Sequence, residues 1–118
     1  MGDFKNLEVW KKASSLALDI YELGGSLRGH IDFSLRSQIL RSAVSIPSNI
    51  VEGSAKRNDK EFVRYLRISL GSASELEHHL IFIKDLGSLP DEDFESLCKR
   101  LSEIRKMLNG LIDYLGGL

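Results

Sequence analysis

The sequence predicts an all-α fold: an up-down-up-down four-helix bundle whose second helix is kinked by a proline. Three observations carry this expectation. Apolar residues recur at spacings of three and four in four separate stretches, the signature of helices with one buried face. Only two prolines interrupt the chain, and its aromatic and β-branched content is low for a β-rich protein. The connections between the stretches are short, which favours antiparallel neighbours in a bundle. A length of 118 residues suits a single domain over residues 1–118 with one modest core.

The first helix is expected from about Asn6, a good N-cap, to about Gly24. Val9, Ala13, Leu16, Ile20 and Leu23 form its stripe, widened by Trp10, Ala17 and Tyr21. Gly24 and Gly25 end it, and a short linker passes through Gly29 and His30. The second helix runs from Asp32 to about Lys56, with Leu35, Ile39, Ala43, Ile46 and Ile50 in one sector. The third opens at Asn58, whose spacing to Glu61 is that of a capping box. Its stripe of Phe62, Leu66, Ser69, Ala73, Leu76, Leu80 and Ile83 keeps phase across Gly71, so one long helix is expected. Pro90 and the acids Asp91, Glu92 and Asp93 mark the start of the fourth. Phe94, Leu97, Leu101, Ile104, Leu108, Leu111 and Leu115 then make a coiled-coil-like seam.

Composition excludes several classes. The chain is 42% hydrophobic and 28% charged, as in ordinary globular proteins. It has no apolar run near the ~20 residues that cross a bilayer, so no membrane is expected. The N-terminus lacks the apolar core of a secretory signal. A single cysteine, Cys98, cannot form an internal disulfide and fits a reducing, cytoplasmic setting. The net charge of −1 is unevenly spread. Residues 36–67 carry seven Lys or Arg against Glu52, Asp59 and Glu61, whereas residues 68–118 carry five against nine acids.

The stretch RSAVSIPSNIVEGSAKR, residues 41–57, sets the apolar spacing of a helix around Pro47. An interior proline costs about 3 kcal/mol, because it removes a hydrogen bond and crowds the carbonyl four residues back, here that of Ala43. The stripe keeps phase on both sides, so a kinked helix is expected rather than two helices. Ser42, Ser45 and Asn49 are placed to satisfy the freed carbonyls. A second stripe, Leu40, Val44, Pro47 and Val51, lies about 100° away, and Ile68 and Phe82 fall off the core sector of the third helix. A lone bundle helix needs one buried face. These six residues are therefore candidates for contact with another copy of the chain.

That stretch, followed by KEFVRYLRISLGSASELEHHL, resembles the signature of the 23S rRNA intervening-sequence proteins, bacterial four-helix bundles. The matching residues are Arg41, Ser45, Ile46, Pro47, Asn49, Ile50, Glu52 and Gly53, then Leu70, Gly71, Ser72, Glu75, Leu76 and Glu77; the opening FKNLEVWKKA is similar too. Some members are encoded in intervening sequences of large-subunit rRNA genes. A relative, the accessory variability determinant of diversity-generating retroelements, is a ring-shaped pentamer that binds nucleic acid and a reverse transcriptase. The resemblance thus implies a homopentamer and RNA or DNA as a partner. This chain departs from those strongly basic relatives in being slightly acidic, which points to weak binding.

No residue set adds up to catalysis, and no cofactor is expected. Glu75-Leu-Glu77-His78 has the Glu-x-x-His spacing of di-iron bundles, but there is no second copy and helical phase turns Glu75 and His78 outward. Cys98 beside the fourth helix's seam reads as a small hydrophobe. No nucleophile elbow or phosphate loop occurs, and the chain reads as a non-enzyme. The basic residues are more informative. Lys60, Arg64 and Arg67 share the outward face of the third helix, with Lys56 and Arg57 just before it and Arg41 on the second. Tyr65, the aromatic among them, leans toward the core, so base-specific readout is not expected. Two classes follow: an oligomeric accessory protein that binds nucleic acid through its phosphates, or an oligomeric adaptor for another protein.

Overall fold

In the computed structural model, which describes residues 3–24, 27 and 31–117, a 3-10 turn at Phe4–Asn6 leads into four helices. These are α1 (Glu8–Leu23), α2 (Phe33–Ser54), α3 (Asp59–Asp85) and α4 (Asp91–Tyr114). Each packs on its neighbours in sequence and α4 closes on α1, while among the described residues the diagonal pairs keep their backbones apart. Ser45 meets Ser72 and Ile46 meets Ser69, Glu77 meets Arg105 and Lys84 meets Phe94, and Lys12 meets Glu103 and Asp19 meets Arg100; in each set one number rises as the other falls, so these neighbouring helices run antiparallel. The up-down-up-down expectation holds.

The helix ends refine the sequence reading. Asn6 does not cap α1; it ends the 3-10 turn, which Asp3 caps by accepting from the Lys5 N–H, and Leu7 precedes α1 without a side-chain cap. Gly24 keeps right-handed helical angles, and Gly25, Gly29 and His30 lie outside the described residues. Asp32 caps α2 through the Leu35 N–H at 2.8 Å. Asn58 caps α3 through the Glu61 N–H at 2.9 Å, but the reciprocal half of the box is missing because the Glu61 carboxylate turns to Arg64. α3 is one helix across Gly71. It ends where Gly87 takes φ 81° and the Ser88 N–H reaches the Ile83 carbonyl at 2.9 Å, a left-handed cap that suits glycine.

The core follows the stripes. Leu16, Ile46, Ile50, Leu66, Leu76, Leu80, Ile83, Leu101, Ile104 and Leu108 are fully buried. Near the end of α4 the buried residue is Ile112, with Leu111 half-buried, because a straight helix of 3.6 residues per turn drifts off a seven-residue repeat.

α2 runs unbroken through Pro47, which is itself buried. Polar side chains around it bond backbone carbonyls. Ser42 donates to Ile39 at 2.9 Å, Asn49 to Ser45 at 2.8 Å and Ser69 of α3 to Ile46 at 2.8 Å. The Ala43 carbonyl, the one Pro47 deprives of its donor, is not among these acceptors. The Ser45 and Ser72 hydroxyls meet at 2.7 Å, so small polar residues line both sides of the α2–α3 contact. Gly53 completes it: a Cβ there would stand 2.8 Å from both Phe62 Cδ1 and Tyr65 Cβ and 3.2 Å from the Phe62 carbonyl. Gly53→Ala must therefore push the start of α3 away, and we expect a loss of about 1–3 kcal/mol, as for other overpacked sites. Thermal and urea unfolding check it. An unchanged midpoint would show that the two helices separate freely at this point.

Candidate functional site

The α2–α3 turn gathers the basic residues. α2 stops at Ser54, whose hydroxyl donates to the Val51 carbonyl at 2.8 Å. Lys56 and Arg57 occupy the turn, and Lys60, Arg64 and Arg67 follow on the outer face of α3; all five are exposed. Among the described residues Lys56, Arg57 and Lys60 make no ion pair, while Arg64 Nε donates to Glu61 Oε2 at 2.8 Å. Lys60, Arg64 and Arg67 also border a groove that ends at Leu115–Gly117.

Tyr65 packs at Gly53, in keeping with its expected lean toward the core. It is half-buried, and its ring carries Lys56 Nζ at 5.1 Å and the Arg64 guanidinium at 4.6 Å from its centroid. One aromatic ring thus meets two of the cations. The Lys56 contact is made across the turn, where helical spacing gives no guide. Arg41 is not part of this arc: fifteen residues upstream of Lys56 on the same chain, it lies about 22 Å away along the helix axis. It borders a separate cleft with Gln38, Glu75 and His79. Burial holds the His79 imidazole below the ordinary histidine range; the Glu75 carboxylate opposes this and the neighbouring His78 adds to it.

The six apolar candidates occupy two places. Leu40, Val44, Pro47 and Val51 line a shallow groove between α1 and α2, together with Trp10 and Tyr21. Val44 is 44% exposed there, with Leu18 and Tyr21 at about 60% beside it. Ile68 and Phe82 lie on α3, 41% and 47% exposed, four turns apart on its outer side. Arg41, Ser48 and Glu52, all exposed, make a polar ridge along α2 between the two places.

Glu75 and His78 are exposed, and no group of three His, Cys, Asp or Glu able to hold a metal comes together among the described residues. Cys98 is half-buried, and burial raises its thiol above the ordinary range.

The Arg64 hydrogen bond, then its charge, holds the Glu61 carboxyl below the ordinary glutamate range, with Lys56 and Lys60 adding smaller pulls. A depressed folded-state pKa stabilises the fold above the unfolded value and ceases to do so as pH falls through the folded one. In Arg64→Gln, carbon-detected NMR should find Glu61 titrating at higher pH than in the parent. Equal titration in both proteins would show that Arg64 does not hold this carboxylate in solution.

Among curated proteins, none matches this chain. A crystal structure from Bacteroides thetaiotaomicron, described as a protein of unknown function from the S23 ribosomal protein family, is similar. It shares 31% sequence identity and a TM-score of 0.82, over 88% of this chain and 97% of that one. The family model for 23S rRNA-intervening sequence proteins matches residues 5–110, so nearly the whole bundle, the Pro47 stretch and the basic turn included, falls within it, and the chain belongs to the 23S rRNA-intervening sequence protein family.

Proposed function

We propose that this is a cytoplasmic, non-enzymatic protein that assembles with copies of itself and binds nucleic acid through its phosphates. The observation that carries the binding reading is the arc of Lys56, Arg57, Lys60, Arg64 and Arg67 around one turn, with two of its cations held on Tyr65. Cations fixed in this way lose less freedom on meeting a phosphate than mobile ones do. Repetition of the arc in an assembly adds weak contacts together. Nothing in the arc reads bases, so binding is indifferent to sequence and weak for a single chain.

Self-association rests on the two apolar places. An isologous dimer uses one self-complementary patch, whereas a ring joins two different patches head to tail. The α1–α2 groove and the Ile68–Phe82 side of α3 are two such patches, one on each side of the α2 ridge. A bend at Pro47 would shape the first of them. The family resemblance makes a pentamer the expected closure. The second reading, an adaptor that uses the same apolar faces for another protein, is favoured by their exposure alone.

Light scattering across a size-exclusion peak should give a multiple of the 13.3 kDa chain mass. Val44→Glu should return it to a single chain with its helical circular dichroism retained. A monomer in the parent at micromolar concentration removes the self-association reading.

Fluorescence anisotropy with DNA and RNA of unrelated sequence should show binding at low salt. Each phosphate contact should contribute ~0.9 to the slope of log affinity against log salt for duplex and ~0.7 for single strands. Arg64→Glu with Lys60→Glu should lower that slope. No binding near about 50 mM salt leaves the adaptor as the account of this protein, and unchanged binding in the double variant moves the site off this face.

A further inference from the structure

At the end of the bundle opposite the basic arc, a slot of about 350 Å³ opens between α1, α2 and α3. Its floor is core: Ile20, Ile39, Leu80 and Ile83 line it and are each at most 4% exposed. Tyr21 walls one side and Arg36 stands at the mouth. Phe33, which also lines the slot, is 85% exposed among the described residues.

Arg36 supplies the polar feature. Among the described residues it is the one charged residue that lines the slot, and its exposed side chain makes no ion pair there, while its backbone N–H donates to the Asp32 carbonyl as part of the helix. Ligand sites commonly have this form, an apolar cavity of ~300–1,000 Å³ with few polar groups that fix orientation. A planar guanidinium binds a carboxylate in two parallel hydrogen bonds.

We propose that this slot binds a small amphiphilic carboxylate, with its apolar chain on Ile20, Ile39, Leu80 and Ile83 and its carboxylate on Arg36. A ten-carbon saturated carboxylate is a simple probe of this chemistry. The proposal does not depend on nucleic-acid binding, which uses the other end of the bundle. The slot does share Tyr21 and Leu40 with the apolar groove between α1 and α2, so a second copy of the chain is the competing occupant.

The probe is decanoate, titrated into the full chain in its natural assembly state while methyl NMR follows Ile20, Ile39 and Ile83. We expect saturable shifts at these methyls with a Kd below about 1 mM, and binding of decylamine at least tenfold weaker. Arg36→Gln should weaken decanoate about tenfold, and Arg36→Lys, which keeps the charge but loses the paired hydrogen bonds, should fall between Arg36→Gln and the parent. Ser37→Trp, at the mouth, should abolish the shifts. Light scattering should give the same particle mass with and without decanoate. Absent shifts, equal binding of decylamine, or indifference to Arg36→Gln each overturn the proposal. A fall in mass on adding decanoate overturns it too, since it shows the slot filled by the neighbouring copy.

Discussion

The close approach of α2 and α3 is the constraint on which the rest of the molecule depends. Two helix backbones come this near only where the side chains between them are small, and here Ser45, Gly53, Ser69 and Ser72 meet that need. Their hydroxyls are not left bare: Ser69 is fully buried and donates to the Ile46 carbonyl, next to the proline. Gly53 then seats Tyr65, and Tyr65 in turn seats Lys56 and Arg64. A missing methyl group thus determines where charge is displayed on the surface.

The outer helices are attached differently. α1 meets α4 through Lys12–Glu103 and Asp19–Arg100, pairs whose side chains are roughly a third to a half exposed. Pairs of this kind contribute ~0–1 kcal/mol. What holds α1 is the burial of Val9, Ala13, Leu16 and Ile20. These pairs instead favour one alignment of α1 against α4, since a shift along the axis would set like charges side by side.

The buried stripes were legible in the sequence because a helix with one apolar face must repeat at its own period. Phe62 through Ile83 on α3 read correctly at every position. What escaped was made between elements. Asn6 has the chemistry of a cap, yet the chain enters α1 through a 3-10 turn capped by Asp3. Glu61 has the spacing of a capping box, but a guanidinium one turn on is the stronger partner for a carboxylate. The basic residues could be counted along the chain, but not the Tyr65 platform, which depends on a contact across a turn. The pairing of Arg41 with the cleft around His79, and the slot beside Arg36, likewise depend on which helices become neighbours. Pro47 read correctly as an interior helical residue, while the polar residues around it serve carbonyls other than the one it orphans.

The antiparallel order of the helices has an electrical consequence. It places the α2–α3 turn, with Lys56, Arg57 and Lys60, at one end of a particle 45 Å long. Asp85 and the acidic first turn Asp91, Glu92 and Asp93 come to the other end. A nearly neutral molecule therefore carries a large permanent dipole along its axis. Near a polyanion it experiences a torque before it experiences much attraction, and it turns its basic end forward over distances comparable to the Debye length, ~8 Å in physiological salt. Copies arranged side by side with their axes parallel would form an object with one positive rim and one negative rim, able to bind a polyanion on one rim and repel it from the other.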